Sequence, residues 1–278
     1  MKQHTITGGG GVQLHVVETG SEADRPILFI HGFSQCSLAW SRQLQSDLAG
    51  RFHLVAIDLR GHGQSDKPRD GYADPKPWAD DINAVIHALA LDQPVLCGWS
   101  YGPLPILDYV RHHGDSALGG ITFVGGVTKL GSDEASALLA PEFVSLVPGF
   151  FSSDVDESTA SLRSLLRLCL VREPSAEEMY LMLGYNVSTP PHVRQALLSR
   201  ALNNDDLLKT IRKPALIVHG TEDRIVKPAA AEQHRAALAL AQVEMMPNVG
   251  HAPFWDDAPA FNGHLRAFCE RLAGAAGT

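Results

Sequence analysis

A chain of 278 residues with 45% apolar and 19% charged side chains can bury a substantial core, as one domain with an insertion or two closely joined units. Its formal net charge of −8, with the basic residues scattered, argues against nucleic acid or an anionic membrane surface as a partner. Four cysteines lie far apart without a CxxC pair, and 13 histidines form neither an HExxH helix nor an HxHxDH cluster, so neither a metal site nor a disulfide framework is expected.

In chain order, MKQHTITGGGG (1–11) lacks the long apolar segment of a secretory signal, and no later stretch approaches the ~20 apolar residues of a membrane span. A soluble, cytoplasmic protein is the expectation. The glycines at 8–11 precede a strand-like run and match no phosphate-binding pattern, so they read as a hairpin turn. Short apolar runs follow: LHVVE (14–18), PILFI (26–30), HLVAI (53–57), PVLCG (94–98), GITFV (120–124), PALIVHG (214–220) and VEMMP (243–247). Segments of helical spacing separate most of them, including 78–90, 229–240 and 260–273. Strands buried on both faces and alternating with helices predict an α/β fold, with a doubly wound, mostly parallel sheet.

The alternation stops between Gly126 and Lys213, where helical patterns and Pro/Gly interruptions predict an all-helical insertion. Its Phe150, Tyr180, Leu181 and Met182 are expected to serve packing rather than a site.

Gly98-Trp99-Ser100-Tyr101-Gly102 follows a buried-strand pattern, and glycines two positions either side of Ser100 suit a sharp strand-to-helix turn. A serine hydroxyl is a weak nucleophile that needs a base, itself oriented by an acid. Both stand after later strand-like runs: Glu222 and Asp223 after PALIVHG, and His251 after VEMMP. A helix starting at Tyr101 would hold Pro103 in its first turn, while Pro105 would deprive the Tyr101 carbonyl of its partner, a defect of ~3 kcal/mol in a helix interior. Asp58, after its strand, reads as a turn residue tying down the loop at 60–63.

Taken together, HGF (31–33), DLRGHGQSDKP (58–68), GWSYG (98–102), GTEDRIV (220–226) and NVGHAPFWDDAP (248–259) resemble the alpha/beta-hydrolase superfamily, in its serine esterase/lactonase-like branch with a helical cap. The resemblance implies an eight-stranded core from residues 1–127 and 212–278, carrying a cap at 128–211. It places the acid at Asp223, through the pattern G-x-x-D, and leaves Glu222 a surface charge. It also implies backbone oxyanion donors at Phe33 and Tyr101, and no cofactor. Serine at position 100, where dehalogenases and epoxide hydrolases of this layout have aspartate, implies an acyl-enzyme and hence ester, thioester or lactone cleavage. The expected partner is a small-molecule ester or lactone. Variants of the same chemistry are lactonase (including acyl-homoserine lactones), acyl-carrier methyl esterase, C–C bond hydrolase and cofactor-free perhydrolase; a non-catalytic ligand-binding protein of this fold is the reading from a different class.

Overall fold

The apolar runs at 26–30, 53–57, 95–99 and 120–124 form strands in which every residue is buried, which is possible only when helices cover both faces of the sheet. The computed structural model describes residues 1–275. Its strands are β1 (Lys2–Thr7), β2 (Gln13–Thr19), β3 (Pro26–Ile30), β4 (His53–Ile57), β5 (Val95–Trp99), β6 (Gly120–Val124), β7 (Lys129–Leu130), β8 (Leu202–Asn203), β9 (Ala215–Gly220) and β10 (Ala241–Met246). Eight of them form one sheet in the order β1-β2-β4-β3-β5-β6-β9-β10, while β7 and β8 make a separate short ladder. Only the β1–β2 and β2–β4 pairings of the large sheet are antiparallel. The expected doubly wound, mostly parallel sheet is therefore present.

β1 escaped the sequence reading because its pattern, KQHTIT, buries only Ile6. An edge strand needs few apolar residues, since one side of it faces water. It pairs with β2 from Lys2↔Glu18 to Thr7↔Gln13, so the glycines at 8–11 do form the hairpin connection. Gly10 and Gly11 take φ of 68° and 82° there, a region that glycine enters without a Cβ clash.

Helices α1 (Ser41–Leu44), α2 (Pro75–Ala88) and α3 (Pro103–His113) precede β6; α4 (Asp133–Ala137), α5 (Pro141–Phe150), α6 (Val155–Cys169), α7 (Ala176–Val187), α8 (Pro191–Leu198) and α9 (Asp205–Thr210) lie between β6 and β9; α10 (Ala229–Ala237), α11 (Pro253–Asp256) and α12 (Ala258–Ala275) follow. The insertion is not all-helical as expected, because the β7–β8 ladder pairs its two ends, and strands of two residues leave no apolar run to read. Local chemistry starts several of them. Asp154 accepts from the Glu157 N–H at the head of α6, and Ser175 and Glu178 form a reciprocal capping box at the head of α7.

The helices between β6 and β9 are tied to the sheet by polar contacts as well as packing. Arg200, after α8, reaches Asp108 of α3 at 2.7 Å, and both side chains are buried. Asn186 of α7 exchanges amide contacts of 3.3 and 3.4 Å with Gln35. Among the described residues no helix is long and apolar enough to cross a membrane.

α3 begins at Pro103, two residues later than the expected start at Tyr101. The Tyr101 carbonyl accepts from the Leu104 N–H at 3.0 Å, and the first bond of helical spacing runs from Ile106 N to the Gly102 carbonyl at 3.4 Å. A tighter first turn thus satisfies the carbonyl that Pro105 cannot serve, and the expected defect does not arise.

Candidate active site

The end of β5 carries the sharp turn that the glycine spacing predicts. Ser100 has φ of 57°, a left-handed conformation that strains any residue with a side chain. Two bonds, to the end of β6 and to the loop after it, hold it there: Ser100 N donates to the Val124 carbonyl and its own carbonyl accepts from Val127 N, both at 2.9 Å. The flanking glycines are required by space. A Cβ on Gly98 would come within 2.7 Å of the Gly102 backbone, and one on Gly102 within 2.5 Å of the Ile30 carbonyl. The loop after β3 crosses directly over the serine, since a Cβ on Gly32 would lie 2.9 Å from the Ser100 Cβ.

Asp223 follows β9 and is buried, whereas neighbouring Glu222 is exposed. The Asp223 Oδ1 accepts from the N–H groups of Ile225 and Val226 at 2.8 and 2.9 Å, and its Oδ2 lies 2.8 Å from His251 Nδ1. Burial by itself would raise the pKa of this carboxyl. The charge of His251 and hydrogen bonds from His219 and His251 outweigh it and hold the group well below the usual carboxylate range. Asp223 is therefore ionised at neutral pH and accepts from the Nδ1–H of His251, leaving Nε2 of that ring free for another partner.

The loop carrying His251 is clamped on three sides. Trp99 Nε1 donates to the His251 carbonyl at 2.8 Å, Gly250 N donates to Asp256 at 2.9 Å, and Ala252 N donates to the Cys169 carbonyl at the end of α6 at 3.0 Å. Gly125, just past β6, leaves room for the pair; a Cβ there would stand 3.1 Å from His251 Nδ1 and 3.3 Å from Asp223 Oδ2.

Ser100 and His251 line one cavity of about 30 Å³ together with Phe33, Phe143, Leu165 and Ile225. Phe33 thus lines the cavity. Tyr101 does not: its hydroxyl is held by Arg200 at 3.2 Å, on the side facing α8. Among the described residues no acceptor engages the N–H of either Phe33 or Tyr101. Phe150 is fully buried against Phe33 at 5.5 Å, and Met182 is buried too, as their expected packing roles require. Tyr180, by contrast, is 84% exposed. With Leu181 it rims a larger hollow of about 490 Å³ between α7 and the β1–β2 hairpin, which includes neither Ser100 nor His251.

Residues 27–263 match the Alpha/beta hydrolase family. The chain belongs to this family. Over 98% of its length it superposes on all of the esterase RhEst1 from a Rhodococcus species, with a TM-score of 0.93 and 34% identity. It is 28% identical to the AB hydrolase superfamily protein YisY of Bacillus subtilis, across 95% of this chain and 98% of that protein. It is also 30% identical to the pimeloyl-[acyl-carrier protein] methyl ester esterase of Stenotrophomonas maltophilia, across 95% of this chain and 99% of that one. The chain is an esterase-type alpha/beta hydrolase on these grounds.

Several residues around this candidate site of the alpha/beta hydrolase carry no catalytic expectation from sequence. His31 joins the loop after β3 to the end of β4, Trp99 anchors the His251 loop, and His219 contacts Asp223 at 3.1 Å. The available signal was a polar residue inside or beside an otherwise apolar run. Asp58 accepts from Ser37 N, Gln64 N and His15, and so ties the 58–64 loop to the one after β3. Its pKa, which burial would raise, is lowered to about 2 by those bonds.

Proposed function

We propose that this alpha/beta hydrolase is a serine carboxylic-ester hydrolase acting through an acyl-enzyme, with Ser100 as nucleophile, His251 as base and Asp223 as the orienting acid. The observation that carries the reading is the buried 2.8 Å Asp223–His251 contact beside a strained serine that shares its cavity. Ser100 Oγ attacks the acyl carbon while His251 Nε2 takes its proton, and the carbonyl electron pair moves onto oxygen. The N–H groups of Phe33 and Tyr101 receive that oxyanion, a contribution of ~3–4 kcal/mol per donor in well-studied sites. Collapse expels the alcohol, which takes the proton from His251. Water then attacks the acyl-enzyme by the same route and releases the acid.

The cavity at Ser100 is lined mainly by apolar side chains, without Lys or Arg, which supports esters of small to medium uncharged acyl groups. Only about 30 Å³ is open beside Ser100, and in this proposal side chains of α5 and α6 such as Phe143 and Leu165 move aside to admit substrate. In this reading residues 128–211 are a cap that selects the substrate. The similarity to RhEst1 supports ester cleavage.

A fluorophosphonate probe should label the protein, and a panel of p-nitrophenyl esters should be turned over, both lost by at least ~10³-fold in Ser100→Ala. Turnover that survives in Ser100→Ala, or a parent that neither labels nor hydrolyses any ester, would sink the proposal.

A further inference from the structure

Three hydrogen bonds reach the carboxylate of Asp223, and a further imidazole nitrogen, from His219, stands 3.1 Å from it. His219 is the penultimate residue of β9 and is fully buried. Its Nε2 lies 2.9 Å from the Val226 carbonyl and 3.1 Å from Asp223 Oδ2. Two acceptors at one ring nitrogen fix the proton on Nε2. Nδ1 of the same ring is buried with no partner among the described residues. Oδ2 is therefore shared between two imidazoles, His251 at 2.8 Å and His219 at 3.1 Å, while Oδ1 is held by two backbone amides.

We propose that His219 is a positioning residue for Asp223: its Nε2–H holds the carboxylate in register with His251 and takes up part of its charge, which tunes His251 as a base. This rests on the Ser100–His251–Asp223 reading. A carboxylate that spends charge on a second donor stabilises a neighbouring imidazolium less than one that does not. Removing the His219 donor should therefore raise the proton affinity of His251, and the acid limb of the kcat/KM profile should move to higher pH. Loss of the restraint should also lower kcat. Other titratable groups nearby are His234 of α10 on the His219 side, with Lys129 and Asp205 behind it, and Cys169 on the Asp223 side, with Asp256 beyond.

The test is the pH dependence of p-nitrophenyl butyrate hydrolysis by the parent, His219→Met and His219→Gln. A glutamine amide nitrogen reaches to where Nε2 stands, so it can keep the donor; methionine cannot. The expected result is an acid limb displaced upward by about 0.5 pH unit or more in His219→Met, with kcat down ~10-fold, KM changed far less, and a limb close to the parent's in His219→Gln. Limbs that coincide in all three proteins, or move equally in both variants, overturn the proposal. Should His219→Met fail to fold, His219→Asn replaces it. Its amide reaches the Nδ1 position only, so its limb must move while that of His219→Gln does not, and equal limbs again overturn the proposal. Turnover that persists in Ser100→Ala would sink the underlying reading instead, whereas unmoved limbs in a Ser100-dependent enzyme remove only the role of His219.

Discussion

His31 directly follows β3 with both ring nitrogens committed: Nδ1 donates to the Gly32 carbonyl at 2.8 Å and Nε2 accepts from Leu59 N–H at 3.0 Å. That arrangement needs a neutral ring, and burial lowers its pKa to about 4. His62, 4.8 Å away, falls to about 3 through burial and the proximity of His31, and His234 to about 3 chiefly through burial. Each folded-state pKa lies below the unfolded value near 6.5. Their stabilising contribution is thus complete above pH 6.5 and is lost as pH falls toward 4 for His31 and toward 3 for His62 and His234, by about 3 kcal/mol for His31 alone. Urea unfolding should show stability dropping by several kcal/mol across that window; a flat profile would mean that these rings are charged in the folded protein.

At the scale of an element, α3 shows how a helix can begin on two prolines at little cost. Pro103 occupies its first position, where no N–H would be bonded, and Pro105 its third. Because Leu104 already satisfies the Tyr101 carbonyl, Pro105→Val restores a donor that is not required and frees the unfolded chain. The expected change in stability is a loss of about 1 kcal/mol or less. A gain approaching ~3 kcal/mol in thermal or urea unfolding would show instead that Pro105 breaks an ordinary helix interior.

For the whole molecule, a buried ion pair joins α3, beside the sheet, to the segment after α8 in the proposed cap. Arg200 and Asp108 are 0% and 1% exposed and 2.7 Å apart, and the same guanidinium holds the Tyr101 hydroxyl and lies 5.1 Å over the Trp78 ring. Replacing Arg200 with Met leaves a carboxylate buried without its counter-charge and should cost ~3–5 kcal/mol. The double variant Arg200→Met/Asp108→Leu should recover most of that loss, because two apolar groups need no desolvation. If the double variant is as unstable as the single, the pair matters for its shape rather than its charge.

The α/β alternation, the parallel sheet and the sharp turn at 98–102 were legible in the sequence because buried strands and tight turns impose local rules: continuous apolar runs, and glycine where backbones meet. The roles proposed for Asp223 and His251 rest on the family resemblance. The edge strand β1 was not, since its polar residues meet water on one side. Nor could local rules reveal His219 beside Asp223, Arg200 beneath Tyr101 or the real start of α3, all of which depend on which distant atoms are brought within 3–4 Å. Local patterning along the chain carries the fold class and the order of serine, acid and histidine. Only tertiary packing decided which acid is buried against His251, how many donors that acid serves, and how small a space remains beside Ser100, because burial and hydrogen-bond geometry are properties of the assembled chain.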